Sequence, residues 1–279
     1  GNVGGMSERP LTLMAVHAHP DDEASTTGGV LAKYSAEGVR TVLVTCTNGE
    51  LGDTPVGKPG EDAHDTAHAV ELRLAELEES CRVLGITHLE LLGYHDSGMM
   101  GWESNDAPGS FWSMPVEEAA KPLVELIRTY EPDVVVTYDD FGFYGHPDHI
   151  QAHRITLSAL ETAGSTAKVY FPTFRRSSLP RFRAQLEKAG LELPDIDEDS
   201  FGVPDEAVGA TVDCREHAPA KLAALAAHVS QQENIFFLKL PMEHFVEGFG
   251  TEEFVRFRPE QPGVVETDLF AGVSRSPAG

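Results

Sequence analysis

Runs of apolar residues of strand length alternate with longer segments of helical periodicity through the first 165 residues of the chain. Such alternation is typical of βαβ units, and strands that are almost continuously apolar indicate a parallel sheet covered by helices on both faces. The predicted strands are residues 11–18, 41–45, 89–92 and 134–138, and the predicted helices are residues 26–37, 70–84, 115–129 and 150–163. The sequence therefore predicts an α/β fold with a Rossmann-like, doubly wound, mostly parallel sheet.

The alternation of strands and helices weakens after residue 165. Three further elements are indicated, a strand at residues 168–174 and helices at residues 179–189 and 219–229. Residues 191–205 are acidic and contain proline, which is typical of a mobile loop. We therefore expect an α/β core over residues 6–165 and an irregular C-terminal extension over residues 166–279 that packs on this core.

The chain is strongly acidic, with 21 Lys and Arg against 45 Asp and Glu and a formal net charge of -24. A surface of that charge repels phosphate backbones and anionic lipids, so we expect no nucleic-acid and no membrane partner. No stretch of the sequence approaches the ~20 apolar residues of a membrane span. The three cysteines form no CxxC pair, which fits a reducing, cytoplasmic location. The sequence leaves open whether the chain forms a homo-oligomer.

Two short motifs that directly follow predicted strands combine imidazole and carboxylate groups. HPDDE occupies residues 19–23 after the first strand, and HPDH occupies residues 146–149 after the fourth. Loops that follow parallel strands meet at the carboxyl edge of the sheet, where ligands bind. Imidazole nitrogen and carboxylate oxygen are zinc donors, and a catalytic zinc site has three protein ligands and one open position. His19, Asp22 and one histidine of the second motif supply such a set, which iron(II) also fits.

Each motif taken alone has a plainer explanation. An Asp between a strand and a helix is a common N-cap, and His-Pro is a common loop dipeptide. A cap requires no histidine, however, so two such clusters after two different strands favour a metal site. Once the metal ligands are assigned, Asp21 and Asp148 remain as carboxylates that do not bind the ion, and either is a candidate general base.

Several segments, in this order along the chain, carry a resemblance to a known family. They are HPDDE at residues 19–23, TCTNGE at 45–50, ELRLAEL at 71–77, HDSGM at 95–99 and GHPDH at 145–149. Together they resemble the PIG-L (LmbE-like) zinc deacetylases over roughly residues 10–160. The segment DLFAG at residues 268–272 also resembles the C-terminal endings of actinobacterial members.

The resemblance implies a metal site, a set of catalytic residues and a set of substrate contacts. Its implied assignments are His19, Asp22 and His149 as ligands of zinc, with iron(II) as the alternative ion; Asp21 as the general base; His146 as an imidazole near the leaving group; Tyr144 as a group that polarises the substrate carbonyl; and Arg73, Asp96 and Met99 as substrate-binding residues. For Arg73, an exposed helix residue paired with a nearby glutamate is an equally good interpretation.

The resemblance also implies the reaction, because similar actinobacterial members act on N-acetylglucosaminyl compounds. We expect a zinc-dependent hydrolase that removes the acetyl group from a substrate such as N-acetylglucosaminyl-inositol. An amidase that cleaves mycothiol S-conjugates and a deacetylase of another glycoside or antibiotic intermediate stay open. Thr26 favours the deacetylase, because conjugate amidases tend to carry lysine at that place. A non-catalytic metal- or sugar-binding protein is the alternative from a different class.

We expect residues 6–165 to carry the metal site and residues 166–279 to shape the substrate pocket together with a loop at residues 101–113. Trp102, Phe111 and Trp112 in that loop offer aromatic faces on which a sugar can stack. The alternative is a lid whose aromatic side chains pack on one another.

Overall fold

The computed structural model describes residues 9–54, 57–193 and 195–274 of the chain, and within them seven strands pair into one sheet. The strands are β1 (Thr12–His17), β2 (Arg40–Thr47), β3 (His88–Tyr94), β4 (Val134–Val136), β5 (Lys168–Thr173), β6 (Ala210–Asp213) and β7 (Thr251–Arg258). Their order across the sheet is β3-β2-β1-β4-β5-β7-β6. Strands β1 to β5 run parallel, whereas β7 is antiparallel to β5 and β6 is antiparallel to β7.

The central strands are buried on both faces because their residues are almost continuously apolar. Every residue of β1 is buried, and so is every residue of β2 after Arg40. Successive side chains of a strand point to opposite faces. Leu13 and Ala15 accordingly pack in one hydrophobic core, while Met14 and Val16 pack in the other.

Helices cover both faces of the sheet. They are α1 (Asp22–Ala36), α2 (Thr66–Leu84), α3 (Val116–Tyr130), α4 (Gly142–Gly145), α5 (Pro147–Ala163), α6 (Leu179–Lys188), α7 (Ala218–Ala227) and α8 (Met242–Phe249). Helices α1, α2 and α7 pack together on one face, and α3 packs against α5 on the other. No helix within the described residues is long and apolar enough to cross a membrane.

The predicted fold class, a doubly wound and mostly parallel α/β sheet, is confirmed. The C-terminal part contains the predicted strand β5 and helices α6 and α7, and it is more regular than expected because it also contributes strands β6 and β7 and helix α8. Helix α1 begins at Asp22, four residues before its predicted start at Thr26. The described residues of 191–205 form neither an α-helix nor a strand of the sheet. Residues 1–8, 55–56, 194 and 275–279 lie outside the described residues. The first residues of the predicted core, 6–8, and the last residues of the predicted C-terminal part, 275–279, are among them.

The strand order places a crevice at one particular position of the sheet. Strand β1 lies between β2 and β4. The chain adds β2 and β3 on one side of β1, and then adds β4 and β5 on the other side. In open parallel sheets such a reversal leaves a crevice at the carboxyl ends of the two strands. The segments that follow β1 and β4, which contain HPDDE and HPDH, meet there.

Candidate metal and catalytic site

Asp22 lies at the centre of the side chains that the two motifs bring together. Its Oδ2 is 3.5 Å from Nδ1 of His19 and 3.2 Å from Nε2 of His149. Asp22 is the first residue of α1 and His149 lies in the first turn of α5, so the ends of two helices aim their side chains at one point. The structure therefore brings the three residues assigned as ligands into mutual contact across the crevice.

Hydrogen bonds fix which nitrogen of each histidine is free. Nδ1 of His149 lies 3.1 Å from the carbonyl oxygen of Gly142, and since a carbonyl only accepts, this nitrogen donates. The buried Nε2 of His149 then carries a lone pair, and it has no hydrogen-bond partner among the described residues. Nε2 of His19 donates to Asp148 Oδ2 at 2.9 Å, which leaves its Nδ1 lone pair facing Asp22. Metal-ligating histidines are held in this way, with the second nitrogen bonded to a carbonyl or a carboxylate.

Two of the separations between these donor atoms match those of a tetrahedral ion. Zinc bonds of roughly 2.1 Å at tetrahedral angles place neighbouring ligand atoms about 3.4 Å apart. The two distances from Asp22 Oδ2, 3.5 and 3.2 Å, lie on either side of that value. A second donor set shares both histidines, because one ring nitrogen from each of His19, His146 and His149 lies within 4.8 Å of the others.

Tyr138, which follows β4, hydrogen-bonds to Asp22. The sequence did not identify it as a site residue. Its hydroxyl donates to Asp22 Oδ2 at 2.5 Å and accepts from the Ala18 amide at 3.0 Å. Its ring stacks on His149 with the centroids 4.1 Å apart. Burial alone would raise the pKa of Asp22, but the neighbouring His149 and His19 outweigh burial and hold that pKa well below its usual range. Asp22 is therefore an ionised, firmly held carboxylate.

Asp21 is adjacent to Asp22 but differs from it in contacts and in charge. Its φ is 112°, in the left-handed region that favours glycine. Its Oδ2 lies 3.4 Å from the Arg73 guanidinium. Burial raises the pKa of Asp21 to about 7, against the opposing effect of Arg73. The pKa values of the two neighbouring carboxylates are thus shifted in opposite directions, that of Asp21 upward and that of Asp22 downward.

His146 and Tyr144 lie on the α5 side of the crevice. Nδ1 of His146 accepts the Asp148 amide at 3.1 Å, so a neutral His146 carries its proton on Nε2. Burial and the neighbouring His19 and His149 lower the pKa of His146 to about 3. The ring of Tyr144 lies edge-on to His149 with centroids 5.1 Å apart, and this side chain is 50% exposed. His146 is therefore a neutral donor in the site, and Tyr144 lies at its mouth.

Arg73 is buried beneath the HPDDE segment. It projects from α2 and donates to the carbonyl oxygens of Gly49, at 3.0 Å, and of Pro20. The interpretation of Arg73 as an exposed residue paired with a glutamate is therefore wrong: the residue is buried and its acidic neighbour is Asp21.

Asp96 and Met99 follow β3 in the HDSGM segment. The carboxylate of Asp96 accepts from the amides of Gly98, at 2.8 Å, and Leu51, at 3.2 Å, and its Oδ1 lies 3.6 Å from Nε2 of His19. Met99 is 44% exposed. Asp96 thus lies next to His19 of the candidate metal site, whereas Met99 lies on the surface.

A cavity of about 1080 Å³ opens at the site. From the core it is lined by residues that include Asp21, Asp22, Thr26, Tyr144 and His149. The C-terminal part lines it with apolar residues, which include Phe174, Phe182, Leu225, Val246 and Phe249, and with polar and charged residues, which include Arg181, Asp213 and Glu253.

The loop at residues 101–113, all of which the structure describes, does not line this cavity. Phe111 is fully buried and stacks on Tyr94, so its expected role as a sugar-stacking face is wrong. Trp112 lies against the Arg154 guanidinium, 5.1 Å from its ring. Trp102 is 41% exposed. Phe111 therefore packs in the core, Trp112 packs against Arg154 of α5, and Trp102 stays largely exposed.

Comparison of the sequence with known proteins finds a family and near-full-length relatives. Residues 14–160 match the family model described as PIG-L, GlcNAc-PI de-N-acetylase. A protein of Thermomonospora curvata named 1D-myo-inositol 2-acetamido-2-deoxy-alpha-D-glucopyranoside deacetylase is 42% identical over 96% of this chain and 99% of its own length. A protein of the same name from Acidothermus cellulolyticus is 41% identical over 96% and 97%.

Solved structures share the fold at lower identity. A conserved protein of Thermus thermophilus aligns with a TM-score of 0.58 and 23% identity over 90% of this chain and 96% of its own. The N,N'-diacetylchitobiose deacetylase of Pyrococcus horikoshii aligns with a TM-score of 0.57 and 23% identity over 98% and 90%. The family match and the relatives together show that this chain belongs to the PIG-L family.

Proposed function

We propose that this protein is a zinc-dependent N-deacetylase that removes the acetyl group from an N-acetylglucosaminyl compound, with N-acetylglucosaminyl-inositol as the first candidate substrate. The observation that carries the proposal is the meeting of His19, Asp22 and His149 around one point, beside the Asp21 carboxylate at the mouth of a cavity. The names of the relatives at about 40% identity support this substrate.

The residues proposed to hold the ion are His19 through Nδ1, Asp22 through Oδ2 and His149 through Nε2. The donor chemistry supports them, since both nitrogens carry lone pairs and the carboxylate is ionised. His146 is the alternative third ligand, since one ring nitrogen from each of His19, His146 and His149 lies within 4.8 Å of the others. The ionised carboxylate of Asp22 between two histidines favours the set that contains it. A zinc ion in such a site makes a water more acidic and polarises a carbonyl, and iron(II) fits the same donors.

Asp21 is the proposed general base. Its carboxylate is next to the ligand set without belonging to it, and it lines the cavity. A carboxylate so placed accepts a proton from the attacking water. The Arg73 guanidinium, 3.4 Å away, keeps that carboxylate oriented and favours its ionised form.

His146 and Tyr144 are the proposed donors to the reacting amide. The proton on Nε2 of His146 and the hydroxyl proton of Tyr144 are available for the oxygen on which negative charge develops, or for the departing nitrogen. Tyr144 is half exposed, which suits a residue that meets the substrate at the mouth of the site.

Arg73, Asp96 and Met99 are proposed as contacts of the substrate. The position of Asp96 near His19 and that of Arg73 near Asp21 support this for the sugar hydroxyls. Met99 is proposed as an apolar contact at the rim, because it is exposed and follows Asp96 closely. We also propose the division into a catalytic core at residues 6–165 and a pocket-shaping part at residues 166–279, supported by the cavity that both line.

A cytoplasmic location is also part of the proposal. The three cysteines of the sequence, Cys46, Cys81 and Cys214, are buried and free, as expected for a protein of a reducing compartment.

The test is amine release from a panel of N-acetylglucosaminides that differ only in the aglycone, together with free N-acetylglucosamine and a mycothiol S-conjugate. We expect the highest kcat/KM on N-acetylglucosaminyl-inositol by the zinc-loaded protein. A higher value on the conjugate would instead assign an amidase. Stoichiometric zinc without release of any amine would assign a non-catalytic binding protein.

A further inference from the structure

The backbone of Asp21 is held in a conformation that needs support. Its φ of 112° is unusual for a residue with a side chain, and conformations of this kind persist only where the surroundings enforce them. The amide of Asp21 donates to Oε1 of Glu23 at 2.9 Å. This hydrogen bond, two residues along the chain, locks the turn that presents the Asp21 carboxylate.

Glu23 is itself held by three further donors. It is fully buried, and its Oε2 accepts from the Ala24 amide at 3.0 Å, the Ser80 hydroxyl at 3.0 Å and Nε2 of His228 at 2.8 Å. A carboxylate with four donors has one orientation available to it. The position of Oε1, and with it the Asp21 turn, is therefore set by groups from α1, α2 and the segment after α7.

His228 is the one of these donors that comes from the C-terminal part of the chain. It follows α7, its side chain is fully buried, and Nε2 must carry a proton because the Glu23 carboxylate only accepts. Its buried Nδ1 has no hydrogen-bond partner among the described residues. The hydrogen bond from Nε2 to Glu23 is thus the side-chain hydrogen bond that the buried His228 ring makes among the described residues.

We propose that His228 is a positioning residue for the reaction: through Glu23 it holds the backbone of Asp21 in the left-handed conformation that aims the Asp21 carboxylate into the site. This inference rests on the proposed function. It makes the C-terminal part a contributor to catalytic geometry as well as to the wall of the cavity. The ligands proposed for the metal, His19, Asp22 and His149, make none of these hydrogen bonds through their side chains, so we expect zinc to stay bound when His228 is changed.

The test compares His228→Leu, which removes the donor, with His228→Gln, whose amide nitrogen supplies a donor at similar reach. In the zinc-loaded protein we expect His228→Leu to lower kcat about 10- to 100-fold with KM and zinc content unchanged, because a small misplacement of a catalytic group has an effect of that size. We expect His228→Gln to regain most of the lost kcat. A crystal structure of the Leu variant should show Asp21 with φ outside the left-handed region.

A matched control separates positioning from general loss of stability. Glu266 is a partly buried carboxylate of the C-terminal part that accepts from Lys168 and Tyr170 away from the site. Glu266→Gln should lower Tm and leave kcat unchanged, whereas His228→Leu should lower kcat by more than its Tm explains. Ser80→Ala, a smaller change at the same Glu23 oxygen, gives a second measurement if the Leu variant does not fold, and we expect kcat to fall with KM unchanged.

The outcomes distinguish the two proposals. A wild-type protein that releases no amine from any substrate overturns the proposed function. An active wild type whose His228→Leu variant keeps full kcat, or keeps Asp21 at φ near 112° in the crystal, overturns the positioning role alone. If only Ser80→Ala can be measured, unchanged kcat overturns it as well.

Discussion

At the scale of single residues, the candidate site contains two adjacent carboxylates in different environments. Asp22 accepts from a tyrosine hydroxyl and faces two histidines, His149 and His19, which hold its pKa well below the usual range against the effect of burial. Asp21 faces one arginine, and burial raises its pKa to about 7. The proposed division of roles follows this difference: Asp22 is proposed to bind an ion and Asp21, whose backbone is left-handed, to accept a proton.

Replacement of Asp21 tests this division directly. We expect Asp21→Asn to lower kcat by a factor of about 10²–10⁴, the usual contribution of a general base, while zinc stays bound. Metal analysis and steady-state kinetics on the same preparation check both parts. His149→Ala is the matched comparison and should lose zinc and activity together. Full activity in Asp21→Asn would rule out Asp21 as the base.

Asp148 is a second residue with a testable role, since it holds His19 from the side away from Asp22. Its Oδ2 accepts from His19 and from the Ser97 amide. Loss of such a partner typically weakens metal affinity 10- to 100-fold, so we expect about that change in Asp148→Asn. Competition with a zinc chelator measures it. Asp133→Asn, at the opposite end of the sheet, should leave zinc affinity unchanged, and equal affinities in the two variants would contradict the role of Asp148.

The sequence predicted the local part of the site and missed the distant part, for a physical reason. HPDDE and HPDH place donors at fixed spacings next to strand ends, so their convergence follows from the topology of a parallel sheet. The partners Tyr138 and His228 lie 116 and 205 residues from Asp22 and Glu23. Neither stands in a recognisable motif, and only the packing of the C-terminal part brings His228 to Glu23.

At the scale of elements, β7 was not predicted because charged residues occupy its buried face and disturb the hydrophobic alternation typical of a strand. The buried face of β7 carries Glu252, Phe254 and Arg256, whereas Val255 and Phe257 point the other way. The hydrophobic alternation by which a half-buried strand is recognised is therefore nearly inverted. Strands β1, β2 and β4 lie inside the sheet and are apolar and buried on both faces, which made them predictable.

Glu252 also connects β7 to helix α1. Its carboxylate accepts from the amides of Gly29 and Val30, both at 2.8 Å, and from Lys221 at 2.7 Å, with both charged side chains buried. We expect Lys221→Met to lower the free energy of unfolding by about 3–5 kcal/mol, because it leaves a buried carboxylate without its counter-charge. Chemical denaturation measures the change.

The companion variants make that prediction specific. Adding Glu252→Gln to Lys221→Met should recover part of the loss, because the unpaired buried charge is then removed. Arg82→Met breaks an exposed ion pair with Glu79 and should change the free energy of unfolding by less than about 1 kcal/mol. Equal losses in Lys221→Met and Arg82→Met would show that burial of the Lys221 pair does not matter.

At the scale of the whole molecule, the dominant feature is charge. The formal net charge of -24 is spread over 279 residues, and most acidic side chains lie on the surface. Like charges at that density repel one another in the compact state and oppose folding. Such a surface also disfavours phosphate-rich partners, in agreement with a small polar sugar as the proposed substrate.

Screening of this repulsion should stabilise the protein. Raising potassium chloride from 10 to 150 mM shortens the Debye length from about 30 to about 8 Å, so repulsion between surface carboxylates falls while buried pairs such as Lys221–Glu252 are little affected. We expect the Tm of the zinc-loaded protein to rise, by about 2–4 °C for each kcal/mol of repulsion removed. Sodium chloride at equal ionic strength should give the same rise, because screening does not depend on the cation. An unchanged or lower Tm would mean that surface repulsion does not limit stability, and a rise with only one of the salts would point to specific ion binding.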